Sequence, residues 1–143
     1  MIVELVPHNT GKAFEAMREL RPGLGSREAF VEQVDRHQRP SGYRLVASLL
    51  DETAPAVAVA GFRLADNLAW GRHLYIDDLS TASASRHRGH ARDLLTWLHT
   101  EAERLGCGEV HLDSGVGTDR TAAHRLYFGC GYRISSHHFV RDV

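Results

Sequence analysis

The chain has 143 residues, 43% of them apolar, and 17 basic against 18 acidic side chains give a formal net charge of -1. That length supports one hydrophobic core rather than two, and the balanced charge argues against nucleic acid as a partner. No apolar run reaches the roughly eighteen residues of a membrane span, and Met1-Ile2-Val3-Glu4 lacks both the basic start and the apolar length of a signal peptide, so one cytoplasmic domain over 1–143 is expected.

Taken in chain order, the pattern predicts an α/β alternation. Ile2 to Val6 reads as a short strand ended by Pro7. Thr10 is the expected N-cap of a helix to Leu20, with Ala13, Phe14, Met17 and Leu20 on one face and Arg21-Pro22-Gly23 as its stop. Ser26 opens a second helix to about His37, marked by Phe30, Val31 and Val34. Tyr43 to Leu50 and Val57 to Leu64 are β-rich runs joined by the turn-prone Asp51-Glu52-Thr53-Ala54-Pro55, which predicts an antiparallel hairpin. A strand near His73 to Leu79 follows. The next helix carries Ala91, Leu94, Leu95, Leu98, Ala102 and Leu105 at helical spacing. A strand Glu109 to Asp113, a helix from Asp119 to Cys130 and a last strand from Tyr132 to Val140 complete the order. Cys107 and Cys130 form no C-x-x-C pair and match no zinc spacing, so packed, reduced thiols are expected.

The most informative stretch is Arg86-His87-Arg88-Gly89-His90-Ala91-Arg92, a basic turn that runs into the apolar-periodic helix. The first N–H groups of a helix have no partner inside it, and the helix dipole adds positive charge there, so this turn reads as a cradle for phosphate or pyrophosphate. It is neither a P-loop nor a three-glycine dinucleotide fingerprint. Its pattern, Arg-x-x-Gly-x-Ala after a strand and before an amphipathic helix, resembles the acyl-CoA pyrophosphate loop of the GNAT superfamily of N-acyltransferases. A second stretch, Ala123-His124-Arg125-Leu126-Tyr127-Phe128-Gly129-Cys130-Gly131-Tyr132, is similar to that family's second signature, and the two occur in the family's order. The resemblance covers Leu74 to Tyr132.

The resemblance implies an α/β (α+β) fold: one GNAT-like domain with a mixed sheet of six to seven strands flanked by helices, its fourth and fifth strands parallel and splayed apart. It also implies acetyl-CoA as co-substrate. On that footing the pantetheine arm meets Leu79, Ser80 and Thr81. Its pyrophosphate meets the amides of His87, Arg88, Gly89, His90 and Ala91, with Arg86, Arg88 and Arg92 to neutralise it. A side chain at Gly89 would block the approach of backbone to phosphate. The helix of Tyr127 often begins in this family with an Asn that meets the cofactor; Arg120 stands at that spacing here, either to bind phosphate or to remain solvated.

Acyl transfer from a thioester to an amine requires an acceptor for the amine proton, a donor for the oxyanion and an acid for the departing thiolate. Tyr127 matches the family position that protonates the thiolate. Asp77 and Asp78 are adjacent on a strand, so alternation would turn them to opposite faces. By analogy with polyamine-acetylating members of the family that carry an acidic pair at this place, Asp77 is the expected base, directly or through water, with Asp78 supporting structure or holding a second ammonium. Asp113 and His111 compete for the role of base, and Asp113 is a further candidate for substrate binding. The ten histidines form no metal-ligating pattern, so no metal is expected. The expected acceptor is a primary amine on a small cationic molecule, polyamine- or aminoglycoside-like. Acetylation of a protein N-terminus or lysine, and an acyl-CoA-binding module without turnover, are the alternatives; a homodimer is left open.

Overall fold

The computed structural model describes residues 1–143. It is an α+β domain whose strands lie in one five-stranded sheet in chain order: β1 (Ile2–Glu4), β2 (Arg44–Ser48), β3 (Ala58–Asn67), β4 (Gly71–Thr81) and β5 (Glu109–Leu112). The pairs β1–β2, β2–β3 and β3–β4 are antiparallel, and β5 runs parallel to β4, so the sheet is mixed. The residues fall into two compact units, Met1–His111 and Leu112–Val143.

In the first unit the two faces of the sheet are covered by different helices, and β2 and the first half of β3 are accordingly buried on both sides. Leu45, Ala47 and Val59 share a buried cluster with Phe14 and Met17 of α1 (Phe14–Leu20) and Phe30 of α2 (Arg27–Glu32). Side chains of the opposite parity meet α3 (His90–Arg104). There Phe62 packs edge-on against Trp97 with ring centroids 6.0 Å apart, and Arg44 reaches Glu101 at 2.8 Å. The buried stripe of α3 is Leu94, Leu95, Leu98 and Ala102, as its periodicity requires.

Several predicted boundaries hold for the expected reasons. Ser26 caps α2, its Oγ accepting the Ala29 N–H at 3.1 Å. In the β2–β3 hairpin connection, Asp51 Oδ1 accepts the N–H groups of Thr53 and Ala54. Thr10 is not the expected cap, however. It lies inside a 3-10 turn, Pro7–Ala13, that precedes α1, and its buried hydroxyl donates to Asp35 at 2.7 Å while accepting from Arg39 at 2.9 Å. Asp35 belongs to a π-helical turn, Gln33–Gln38, that continues α2.

The second unit contains a 3-10 turn, Thr118–Arg120, leading into α4 (Thr121–Gly129). The expected strand from Tyr132 to Val140 is absent, which reduces the sheet from the predicted six or seven strands to five. A strand exists only by pairing. Residues 133–143 are all exposed, and their apolar positions are interrupted by Arg133, Ser135, Ser136, His137 and His138.

Candidate active site

The turn expected to cradle phosphate lies between β4 and α3. After β4 the chain makes a short 3-10 turn, Ser83–Ser85, and then two left-handed residues, His87 at φ 62° and Gly89 at φ 88°. The first helical hydrogen bond of α3 runs from the Asp93 N–H to the Gly89 carbonyl at 3.0 Å, so the amides of His90, Ala91 and Arg92 ahead of it have no helical acceptor. No side chain caps this end. A Cβ built on Gly89 would meet nothing within 4 Å, so the space beside Gly89 is open. Arg88 and Arg92 are exposed and form no ion pair, leaving two cations at the positive end of the helix.

Two other members of the predicted cradle are committed elsewhere. Arg86 donates to Glu19 of α1 at 3.1 Å, and the same carboxylate accepts the Ser83 N–H at 2.9 Å and the Ser83 hydroxyl at 3.0 Å. The Ser83 amide is the main reason that the Glu19 carboxyl sits below its ordinary range, with the Arg86 charge adding to it. Arg86 thus fastens the loop to α1. The His90 imidazole turns back to the sheet, its Nδ1 lying 3.0 Å from Ser48 Oγ, so this residue offers the cradle its amide and not its ring.

Beside the cradle runs the free edge of β4. Gly108 N–H donates to the Arg72 carbonyl at 2.9 Å at the start of β5, and β5 then lasts four residues against the eleven of β4. The last residues of β4 therefore have a strand partner on the β3 side alone. Ala82 N–H donates to the Val57 carbonyl at 2.8 Å, and alternation then turns the Ser80 amide toward β3 while those of Leu79 and Thr81 face the open edge. The Ser80 hydroxyl is buried and donates to the Ala16 carbonyl at 2.7 Å, so it braces α1.

The acidic pair departs from its expected geometry. Gly61 pairs with Asp78 and Phe62 with Ile76, which makes Asp77 an extra residue, a β-bulge in β4. The bulge breaks the alternation, and both carboxylates turn to the face that carries Tyr43 and Arg63 rather than to opposite faces. Asp77 accepts two hydrogen bonds of 2.7 Å from Arg63, and its carbonyl accepts Arg21 Nη2 at 3.0 Å. Asp78 accepts Arg21 Nε at 2.9 Å on one oxygen and the Tyr43 hydroxyl at 2.8 Å on the other, and its side chain is 13% exposed. Each carboxylate is matched by an arginine, so the pair presents no bare negative charge to a polycation, and Asp78 has no oxygen in reserve for a second ammonium.

Tyr43, Arg21, Arg63 and Gly61 were not legible as site residues. Only Gly61 carried a signal, because an isolated glycine within an apolar strand run marks a bulge or a close approach. Here it marks both. A Cβ at Gly61 would overlap the hydroxyl and ring of Tyr43, which crosses β3 at that point.

His111, a competing base, is stacked on Trp70 with ring centroids 3.8 Å apart and lies beside His73. His73 is four residues before Asp77, about 13 Å along an extended strand. That aromatic group belongs to the beginning of β4 and not to the bulge.

In the second unit the Gly-Tyr step of the second motif has a physical cause. Gly131, at φ 87°, ends α4; its N–H donates to the Phe128 carbonyl at 3.2 Å and the Tyr132 N–H to the Tyr127 carbonyl at 3.0 Å, a Schellman stop. The stop folds the Tyr132 ring against Tyr127, centroids 5.9 Å apart. Tyr127 is 9% exposed, and burial raises its pKa above the ordinary phenol value while the charge and hydrogen bonding of Arg120 oppose the rise. A phenol so placed stays protonated at neutral pH and can serve as a donor. Asp113 pairs with His138 at 3.0 Å, both of them exposed.

The model of the acetyltransferase (GNAT) family matches residues 12–132 of the chain. An uncharacterized N-acetyltransferase of Bacillus subtilis, YhdJ, is 31% identical over 133 residues, 92% of this chain and 90% of that protein. Among solved structures, an aminoglycoside N-acetyltransferase, AAC(6')-Iy in complex with CoA, superposes with a TM-score of 0.82 at 14% identity, covering 100% of this chain and 93% of that one. A putative acetyltransferase from Agrobacterium tumefaciens superposes with a TM-score of 0.79 at 23% identity over 99% of both chains. At these identities the superpositions establish a shared fold.

Proposed function

The chain belongs to the acetyltransferase (GNAT) family, and on that footing we propose that it transfers an acetyl group from acetyl-CoA to a primary amine of a small molecule. The observation that carries this reading is the continuity, within the first unit, of two sets of unused amides. The outward amides of Leu79 and Thr81 suit the amide groups of a pantetheine arm, and the first-turn amides of α3, with Arg88 and Arg92, suit its pyrophosphate. The open space at Gly89 fits a group approaching that backbone closely.

Acetyl-CoA supplies the activated acyl group as a thioester. The amine nitrogen forms a bond to the acyl carbon as the carbon–sulfur bond breaks, the amine loses a proton and the CoA sulfur gains one. Tyr127 gives its phenolic proton to the sulfur, a role that its raised pKa supports by keeping the proton in place until the thiolate forms. Asp77 takes the amine proton through a water. Both of its oxygens already accept Arg63, and its side chain keeps partial exposure, more than that of Asp78, through which a water can reach it.

The acceptor is a small amine, in keeping with the aminoglycoside acetyltransferase among the structural relatives. The ion pairs of Arg21 and Arg63 weigh against a polyamine held by the acidic pair. Calorimetric titration with acetyl-CoA, paired with a thiol-release assay over a panel of mono-, di- and polyamines and amino sugars, tests the proposal. Release with a member of the panel supports it. Binding without release on any amine refutes turnover and favours an acyl-CoA-binding module.

A further inference from the structure

Tyr43 is 4% exposed, and its hydroxyl is spent on a single partner, the Asp78 carboxylate. A phenylalanine would fill the same apolar volume among α1, α2 and the sheet, so core packing does not explain the hydroxyl. The strand it crosses has given up a side chain at Gly61 to let it pass. Burial and the Asp78 charge push the Tyr43 pKa far above the ordinary phenol value, so the group is a hydrogen-bond donor at every working pH.

The hydroxyl meets the side chain that directly follows the bulged residue. A bulge leaves its extra residue outside the ladder and bends the strand, and its geometry is set by whatever takes up the unpaired groups. Here Arg21 takes the Asp77 carbonyl and one oxygen of Asp78, and Tyr43 takes the other. Leu79 follows Asp78 directly. The direction of its outward amide, and of the Thr81 amide beyond it, is therefore fixed by how the Asp78 side chain is held.

We infer that Tyr43 is a positioning residue for acyl transfer: through Asp78 it fixes the bulge that aims the open edge of β4 at the thioester. The inference rests on the acetyltransferase reading above. Transfer is sensitive to such aim, since a displacement of about 1 Å at the reacting groups lowers rate about a hundredfold.

The test is Tyr43→Phe, measured in four ways: acetyl-CoA Kd by calorimetry, kcat and KM with the best amine of the panel, melting temperature, and amide hydrogen exchange along β4 and α3. The expected result is a fall in kcat of about ten- to a hundredfold, with Kd and KM near the parent's. Exchange should quicken at Asp77 to Leu79 while α3 stays unchanged. Asp78→Asn retains an acceptor for the Tyr43 hydroxyl and should lose less activity than Tyr43→Phe; Asp78→Ala, which removes that acceptor, serves as the second variant if Tyr43→Phe is insoluble, and there a parental kcat overturns the inference. A Tyr43→Phe protein with parental kcat overturns it too. So does one in which kcat, acetyl-CoA affinity and melting temperature fall together, which would make the hydroxyl a general structural support. A parent that binds acetyl-CoA but acetylates no amine refutes the enzymatic reading instead. The exchange rates then decide alone: unchanged exchange at the bulge overturns the role of Tyr43, and faster exchange confined to it upholds that role.

Discussion

Replacing Gly61 by alanine should be strongly destabilising, although in an ordinary strand the same change is favourable by about 0.5–1 kcal/mol. An added Cβ would overlap the hydroxyl and ring of Tyr43, so the ring must leave its site. Eviction loses a hydrogen bond to a charged carboxylate, worth about 1.5–3 kcal/mol, and forces a buried ring against neighbours already in contact, which costs about 1–3 kcal/mol more. The expected loss is about 3–5 kcal/mol, read as a lower urea midpoint from the fluorescence of Trp70 and Trp97. The control is the same change in a Tyr43→Ala background, where no ring opposes the methyl group and Gly61→Ala should be neutral or mildly stabilising. The cycle should thus show a coupling of about 3 kcal/mol or more between the two positions. A loss below about 1 kcal/mol in the native background, or equal losses in both, would refute the crossing of Tyr43 over Gly61 as the reason for the glycine.

Glu101 should make stability depend on pH in the acid range. Hydrogen bonds from Arg104 and then Arg44 hold its carboxyl at about 2, against an ordinary 4.5. A depressed pKa stabilises the fold fully above the unfolded value and loses that contribution as pH falls through the folded one. Glu101→Gln should therefore be less stable than the parent by about 2 kcal/mol at pH 7, with the gap closing between pH 4.5 and about 2 in urea titrations; a gap constant with pH would contradict this. Gly89→Val should weaken acetyl-CoA binding tenfold or more by calorimetry, because valine resists a φ of 88° and adds bulk where the amides are open; parental affinity would remove the phosphate assignment. Tyr127→Phe keeps the ring and should lower kcat by about ten- to several hundredfold at nearly unchanged acetyl-CoA affinity and melting temperature, and an unchanged kcat would return Tyr127 to a packing role.

The elements with strong periodicity or a capping chemistry were legible in the sequence, and those that depend on distant partners were not. α3 was readable because Leu94, Leu95, Leu98 and Ala102 make one stripe, and α2 because Ser26 is a cap in both pattern and fact. The turn ahead of α3 was legible as a helix start because its features are local: a glycine in the left-handed region and the first apolar positions of the helix within a few residues of one another. Thr10 misled because a hydroxyl ahead of an apolar run looks the same whether it caps a helix or reaches Asp35, twenty-five positions away. The acidic pair misled for a related reason. Strand alternation is a rule of unbroken ladders, and nothing near Asp77 announces the bulge, whose trace lies in Gly61 on the neighbouring strand. Likewise Arg86 read as a phosphate ligand because its counter-ion, Glu19, is sixty-seven residues earlier. The expected last strand failed because β propensity cannot form a ladder without a partner.

The order of strands in the sheet, identical to their order in the chain, bears on how the protein is made. Each strand finds its neighbour already present when it emerges from the ribosome, so no slot in the sheet waits for a later segment to be threaded into it. Assembly from β1 through β4 adds at a growing margin, as in a meander. The open flank of β4 is then a product of timing as well as of geometry: the strand that lies along it is synthesised only after α3, and it is short, so that margin is bare in the nascent chain and only partly covered in the finished one. The region proposed to receive the acyl donor is thus the part of the sheet that biosynthesis closes last and least.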